Sequence, residues 1–123
     1  MKKILYLDRT KSNFLLMQVI LRTLPEEAEL INLFEEEEIG KALRTQKFDL
    51  IISNTYGIRG ELIVKNLREG NLGETNRLTP AIAYTVIAFD FEKEKCLEAG
   101  FNDYVLMPDM GREIQRKASE LLK

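Results

Sequence analysis

Three polar residues stand where runs of apolar residues end, and their types decide what chemistry the chain can perform. Asp8 follows Ile4-Leu5-Tyr6-Leu7, Asn54 closes the run from Phe48 through Leu50-Ile51-Ile52-Ser53, and Thr85 closes Ala81-Ile82-Ala83-Tyr84. Short apolar runs bounded by polar or turn residues read as buried strands. In an open parallel sheet, the last side chain of a strand is delivered to the crevice at the carboxyl edge. An Asp at position 54 would supply an oxyanion able to form an acyl phosphate. Asn54 has no anionic oxygen and cannot store a phosphoryl group. Asn ends strands commonly, so only its register with Asp8 and Thr85 makes its identity informative.

The elements that must position these residues follow in order. A helix is expected from Ser12 or Asn13, either of which can accept a bond from an orphan amide of the first turn. From Phe14 to Leu21 only Gln18 is polar, more apolar surface than one buried stripe requires. Pro25 ends that stretch, Ala28–Asn32 reads as a weaker strand, and Glu35–Glu38 open a helix reaching about Thr45. Those carboxylates sit at its positive end, which favours negative charge. Gly57 and Gly60 bracket a tight loop before a helix over Glu61–Arg68. Glu69–Pro80 reads as the longest loop, polar and tolerant of change. After Thr85, Asp90 caps a helix ending at Gly100, Asp103–Leu106 forms a last strand, Met107-Pro108 turns, and Gly111–Leu122 is an amphipathic helix. Five strands alternating with five helices predict an α/β domain with a parallel sheet wrapped on both faces.

Length and composition agree with one domain spanning residues 1–123. The chain is 45% hydrophobic and 31% charged, with net charge −2. That balance gives no electrostatic reason to expect nucleic acid as a direct partner. No apolar stretch is long enough for a membrane span, and Met1-Lys2-Lys3 leads into a strand without a signal-peptide pattern. With no His and the single Cys96, neither an internal disulfide nor a side-chain zinc site is expected, and a cytoplasmic location follows. The opening Met and the full last helix are those expected of a free-standing domain.

The residues now permit a comparison with a known family. The Asp ending the first strand, Thr79-Pro80-Ala81-Ile82-Ala83-Tyr84-Thr85, and Lys95-Cys96-Leu97-Glu98-Ala99-Gly100-Phe101-Asn102-Asp103-Tyr104-Val105 with Pro108 resemble a response-regulator receiver domain over Lys3–Leu122. The resemblance implies a flavodoxin-like (CheY-like) fold with strand order 2-1-3-4-5. It also implies a phosphorylation pocket at the carboxyl edge. In that family two acids after the first strand hold magnesium, a third-strand Asp takes the phosphoryl group, and a fourth-strand hydroxyl and a fifth-strand Lys bind its oxygens. Carried onto this chain, those positions are Asp8 and Arg9, Asn54, Thr85 and Met107. Tyr104 corresponds to the aromatic that changes rotamer on activation, next to the Pro108 turn.

Three of the five pocket residues therefore depart from the family. Magnesium prefers hard oxygen ligands, whereas Arg9 offers only donors and a permanent positive charge. Met107 replaces an ammonium by a thioether. Asp8 and Arg9 sum to no net charge, so magnesium binding is expected to be lost or very weak, with no other cofactor implied. Arg9 or the Asn54 amide is expected to fill the metal and phosphate volume, hydrogen-bonded to Asp8.

The expected function is non-enzymatic: a pseudo-receiver, not phosphorylated, acting as a protein-interaction module in two-component or phosphorelay signalling. The alternative is a conventional phosphoacceptor in which Asp49 or Asp103 substitutes for the missing acid. Implied partners are a histidine kinase, a phosphotransfer protein, an output domain or a second copy. The expected partner face is the apolar first helix, at Phe14, Leu15, Met17 and Ile20, or the face of the fourth helix, fifth strand and fifth helix.

Overall fold

Successive side chains of a strand point to opposite faces of a sheet, and the chain uses that alternation to build two cores. The protein is seen in a computed structural model that describes residues 1–55, 57–85, 90–106 and 110–123. Strands β1 (Lys2–Leu7), β2 (Ala28–Leu33), β3 (Leu50–Asn54), β4 (Ala81–Thr85) and β5 (Asp103–Leu106) alternate with helices α1 (Lys11–Leu21), α2 (Glu36–Thr45), α3 (Gly60–Arg68), α4 (Asp90–Ala99) and α5 (Met110–Leu121). Every pairing is parallel, and the order is β2-β1-β3-β4-β5. This is the flavodoxin-like arrangement that the family resemblance implies. β2 lies on one side of β1 and β3 on the other, so the crossover direction reverses there and leaves a crevice at the carboxyl edge.

One core joins Ile4, Tyr6, Leu50, Ile52, Ile82 and Tyr84 to residues of α1 and α5, including Met17, Ile20, Ile114 and Ala118. The other joins Leu5, Leu7, Ile51 and Ala83 to Ile39 and Leu43 of α2, Val64 and Leu67 of α3, and Cys96 of α4. Both faces of β3 and β4 are buried along their whole length. That explains why these strands read as unbroken apolar runs.

Gly100 ends α4 as expected, and the reason is conformational. Its φ is +115°, the Gly100 N–H bonds the Leu97 carbonyl at 3.1 Å, and the Phe101 N–H bonds the Cys96 carbonyl at 3.1 Å. That pair of bonds is a Schellman stop, which needs a left-handed residue. Arg68 packs where a Cβ would stand, with its Cγ only 2.6 Å from that position.

Two local expectations need correction. α1 starts at Lys11 with Thr10 in the cap position and no side-chain cap bond; the Asn13 amide is committed instead to Asp8, at 3.1 Å. The loop from Glu69 to Pro80 is not a permissive surface segment throughout. Asn76 and Thr79 within it are buried. Asn76 accepts the Phe48 N–H at 2.8 Å and donates to the carbonyls of Leu43 and Gln46 at 2.8 and 2.6 Å. The loop thereby completes the backbone hydrogen bonding where α2 hands over to β3, a service that water cannot perform in a buried position. Arg68 closes its other side, donating to the carbonyls of Arg77 and Gly100 at 2.7 and 3.0 Å.

Candidate functional site

β1, β3 and β4 bring the predicted pocket residues to one edge. Leu7 pairs with Ser53, and Asn54 with Tyr84, so Asp8, Asn54 and Thr85 end three neighbouring strands. All three are buried: Asp8 is 1% exposed, Asn54 7% and Thr85 fully covered. Met107 and Pro108 lie outside the described residues. Tyr104, half-buried on β5, packs beside the core that contains Cys96.

Asp8 is the centre of this edge, and its partners differ from those expected. The Thr10 N–H donates to Oδ1 at 2.8 Å, Asn13 Nδ2 donates to Oδ2 at 3.1 Å, and the Tyr6 hydroxyl donates to Oδ2 at 2.7 Å. The Tyr84 hydroxyl also donates to Oδ2 and touches the Tyr6 hydroxyl. The two rings lie nearly parallel, 6.0 Å apart between centroids and 10° between planes. Asn32 on β2 fixes the main chain beneath them, donating to the carbonyls of Tyr6 and Asp8 at 3.0 and 3.1 Å.

This geometry sets the protonation states. Burial opposes the charge on Asp8, but the bonds from Tyr84, the Thr10 amide, Tyr6 and Asn13 outweigh it, and the carboxyl pKa is lowered. Burial pushes both tyrosine hydroxyls upward. A carboxylate facing two protonated phenols is therefore the resting state.

Arg9 does not fill the pocket. Among the described residues it is not a donor to Asp8; its Nε donates to the Gly57 carbonyl at 3.1 Å, its guanidinium pairs with Glu35 at 3.3 Å, and Cζ lies 5.6 Å from the centre of the Phe34 ring. The reason is competition: the lone pairs of Asp8 are already taken, while Glu35 and an aromatic face lie open to solvent. Asp49, the first candidate substitute acid, precedes β3 and accepts the Lys3 N–H at 2.8 Å. Asp103 starts β5 opposite Ile82, three residues before Thr85, and is ion-paired with Lys117. Both acids belong to the amino-terminal edge of the sheet, away from Asn54.

The acceptor capacity of Asp8 is largely used by the protein itself. A carboxylate has about four acceptor positions, and Oδ2 of Asp8 already receives three hydrogen bonds. Arg9, the next residue, turns its guanidinium away to Glu35 and contributes no oxygen, and Asn54 offers a neutral carboxamide. Elsewhere among the described residues, Glu61, Glu92 and Cys96 place potential ligand atoms within 4.8 Å of one another. Burial, together with Glu61 and Glu92, raises the Cys96 pKa to about 12, so the thiol keeps its proton near neutrality. Counting Cys and His alone overlooks such a grouping.

The helix expected to carry partners is only partly oriented as predicted. Leu15 is exposed, Phe14 is half-buried against the Tyr6 ring with centroids 6.3 Å apart, and Met17 and Ile20 face the core. Met17 and Ile20 are therefore removed from the partner face. Leu16 and Val19, with 45% and 58% of their surface exposed, face solvent beside Leu15 instead. The two tyrosines also went unnoticed in the sequence. Their signal is a hydroxyl in an otherwise aliphatic strand, which requires a polar partner once buried.

Fold and site together define a flavodoxin-like α/β domain whose carboxyl edge is lined by Asp8, Asn54 and Thr85. Comparisons with solved structures agree on the fold. The receiver domain of a sensor histidine kinase from Pseudomonas aeruginosa, solved with magnesium in its active-site cleft, matches with a TM-score of 0.81 at 24% identity, covering 98% of this chain and 97% of that one. A two-component response regulator from Clostridium difficile matches with a TM-score of 0.80 at 25% identity, over 99% and 96% of the two chains. A signal receiver domain of a histidine kinase from Clostridium thermocellum gives 0.83 at 17% identity, over 99% and 98%. No protein-family model and no curated protein sequence matches the chain. Among the described residues no helix is long and apolar enough to cross a membrane.

Proposed function

We propose that this chain is a phosphorylation-independent receiver, a pseudo-receiver that serves two-component signalling as a protein-interaction module. The observation that carries this reading is the pairing of Asn54 with a saturated Asp8: the attacking oxyanion is missing, and the acid beside it has its acceptor positions filled. Phosphoryl transfer in such a pocket needs a nucleophile and a cation to offset charge; this edge is suited to neither. Asp49 and Asp103 do not replace the acid, because both are placed at the far edge and already bonded.

The experiment is incubation with acetyl phosphate, or with beryllofluoride, in the presence of magnesium, read by intact mass and backbone amide shifts. The expected result is no adduct and no shift. A phosphoryl label mapped to the carboxyl edge would overturn the proposal.

Without phosphoryl chemistry, recognition rests on shape. Leu15, Leu16 and Val19 form a contiguous apolar surface on α1, suited to a histidine kinase, a phosphotransfer protein, an output domain or a second copy of the chain. Leu15→Glu and Val19→Glu are expected to weaken association, read by sedimentation or pull-down, while changing stability by less than about 0.5 kcal/mol because both sites are exposed. Unaltered association in both variants would move the partner to the face of α4, β5 and α5.

A further inference from the structure

We propose that Tyr6 and Tyr84 are an internal substitute for a divalent cation: their hydroxyls occupy the lone pairs through which Asp8 would ligate a metal. Exclusion of metal from this edge is thereby built into the sheet itself, apart from the residues at positions 9, 54 and 107. The inference rests on the reading of the chain as unphosphorylated and deepens it: that reading needs only a filled Asp8, whereas this one assigns the filling to the two tyrosine hydroxyls.

The argument starts from supply and demand at one carboxylate. A buried anion needs either a counter-ion or several hydrogen-bond donors. Here Oδ1 receives the Thr10 N–H, and Oδ2 receives Asn13 and both tyrosines. The tyrosines reach it from two strands that are not neighbours, β1 and β4, spanning β3. Each ring is fixed by burial and by stacking, Tyr6 against both Phe14 and Tyr84. Their hydroxyls are therefore preorganised toward Asp8 and have little freedom to withdraw for an incoming ion. Phenol protons also differ from a metal in one consequence: they are neutral donors, so Asp8 retains its negative charge while losing its open coordination positions.

A merely structural role for the two hydroxyls would affect stability alone, so the test reads metal binding. The probe is manganese, followed by water-proton relaxation, in Arg9→Asp/Asn54→Asp protein with and without Tyr6→Phe/Tyr84→Phe. Restoring the acids while the tyrosines remain is expected to give weak binding. Adding the two Phe substitutions should tighten it about tenfold or more, the factor corresponding to one charge-assisted hydrogen bond. Equal affinity in the two proteins would overturn the proposal.

Because the fourfold variant must also fold, a second measurement uses the natural chain and Tyr84→Phe alone, with the carboxyl carbon of Asp8 followed by NMR on adding manganese. Broadening in Tyr84→Phe but not in the natural chain supports the proposal. Equal broadening in both overturns it. A natural chain that binds manganese at Asp8 yet forms no adduct with acetyl phosphate would sink this inference and leave the proposed function standing.

Discussion

Asp8→Ala is expected to destabilise the fold by about 3–5 kcal/mol, from four neutral donors orphaned at roughly 1–3 kcal/mol each and not fully additive. For a chain of this size the fall in melting temperature is roughly 10–20 °C. The cost arises from the donors left behind. Two buried phenols, the Thr10 amide and the Asn13 amide lose their common acceptor, and the rings are too tightly packed to turn toward water. In a pocket crowded with carboxylates the same change would relieve repulsion, so the sign of the effect separates the two situations. Thermal and urea unfolding measure it, and an unchanged or raised midpoint would contradict the hydrogen-bonded arrangement.

The same residue predicts a dependence on pH. The Asp8 pKa is depressed in the folded state, against an unfolded value of about 3.9. A depressed acid contributes stability above its unfolded pKa and loses it as pH falls through the folded one. The stability difference between the natural chain and Asp8→Asn should therefore be constant near neutrality and shrink as pH falls below about 4. Urea titrations at a series of acid pH values would show it.

Asn76→Ala is the second large effect, expected at about 3 kcal/mol from three orphaned backbone groups at roughly 1–3 kcal/mol each, not fully additive. The Phe48 N–H and the carbonyls of Leu43 and Gln46 have their partner in this one side chain. Thr79 is tied to the same atoms, its hydroxyl lying 3.0 Å from Asn76 Oδ1 and 3.3 Å from the Phe48 carbonyl. The loss should appear first as faster amide exchange at Phe48, before any change at the pocket. Substituting exposed Leu78 in the same loop provides the control, with a change within about 0.5 kcal/mol.

The elements were legible because parallel strands buried on both faces leave continuous apolar runs, and because Gly100 marks a helix end that only a left-handed residue can make. The meeting of Asp8, Asn54 and Thr85 at one edge was legible for the same reason: three strands end in polar residues. What sequence pattern did not reveal was the direction in which side chains point. Around the helix at 14–21 only Gln18 is polar, so no stripe sets its phase, and Met17 and Ile20 were placed outward when they point in. Polar content made the loop around Asn76 look dispensable, although its amide completes buried backbone. Arg9 was assigned to Asp8 by charge, a rule that takes no account of the tyrosines already bonded there.

Phe14 rests on the ring of Tyr6, and the same turn of α1 presents Leu15 and Leu16 to solvent. A partner seated on Leu15 and Leu16 would therefore lie one aromatic ring away from the phenol bonded to Asp8.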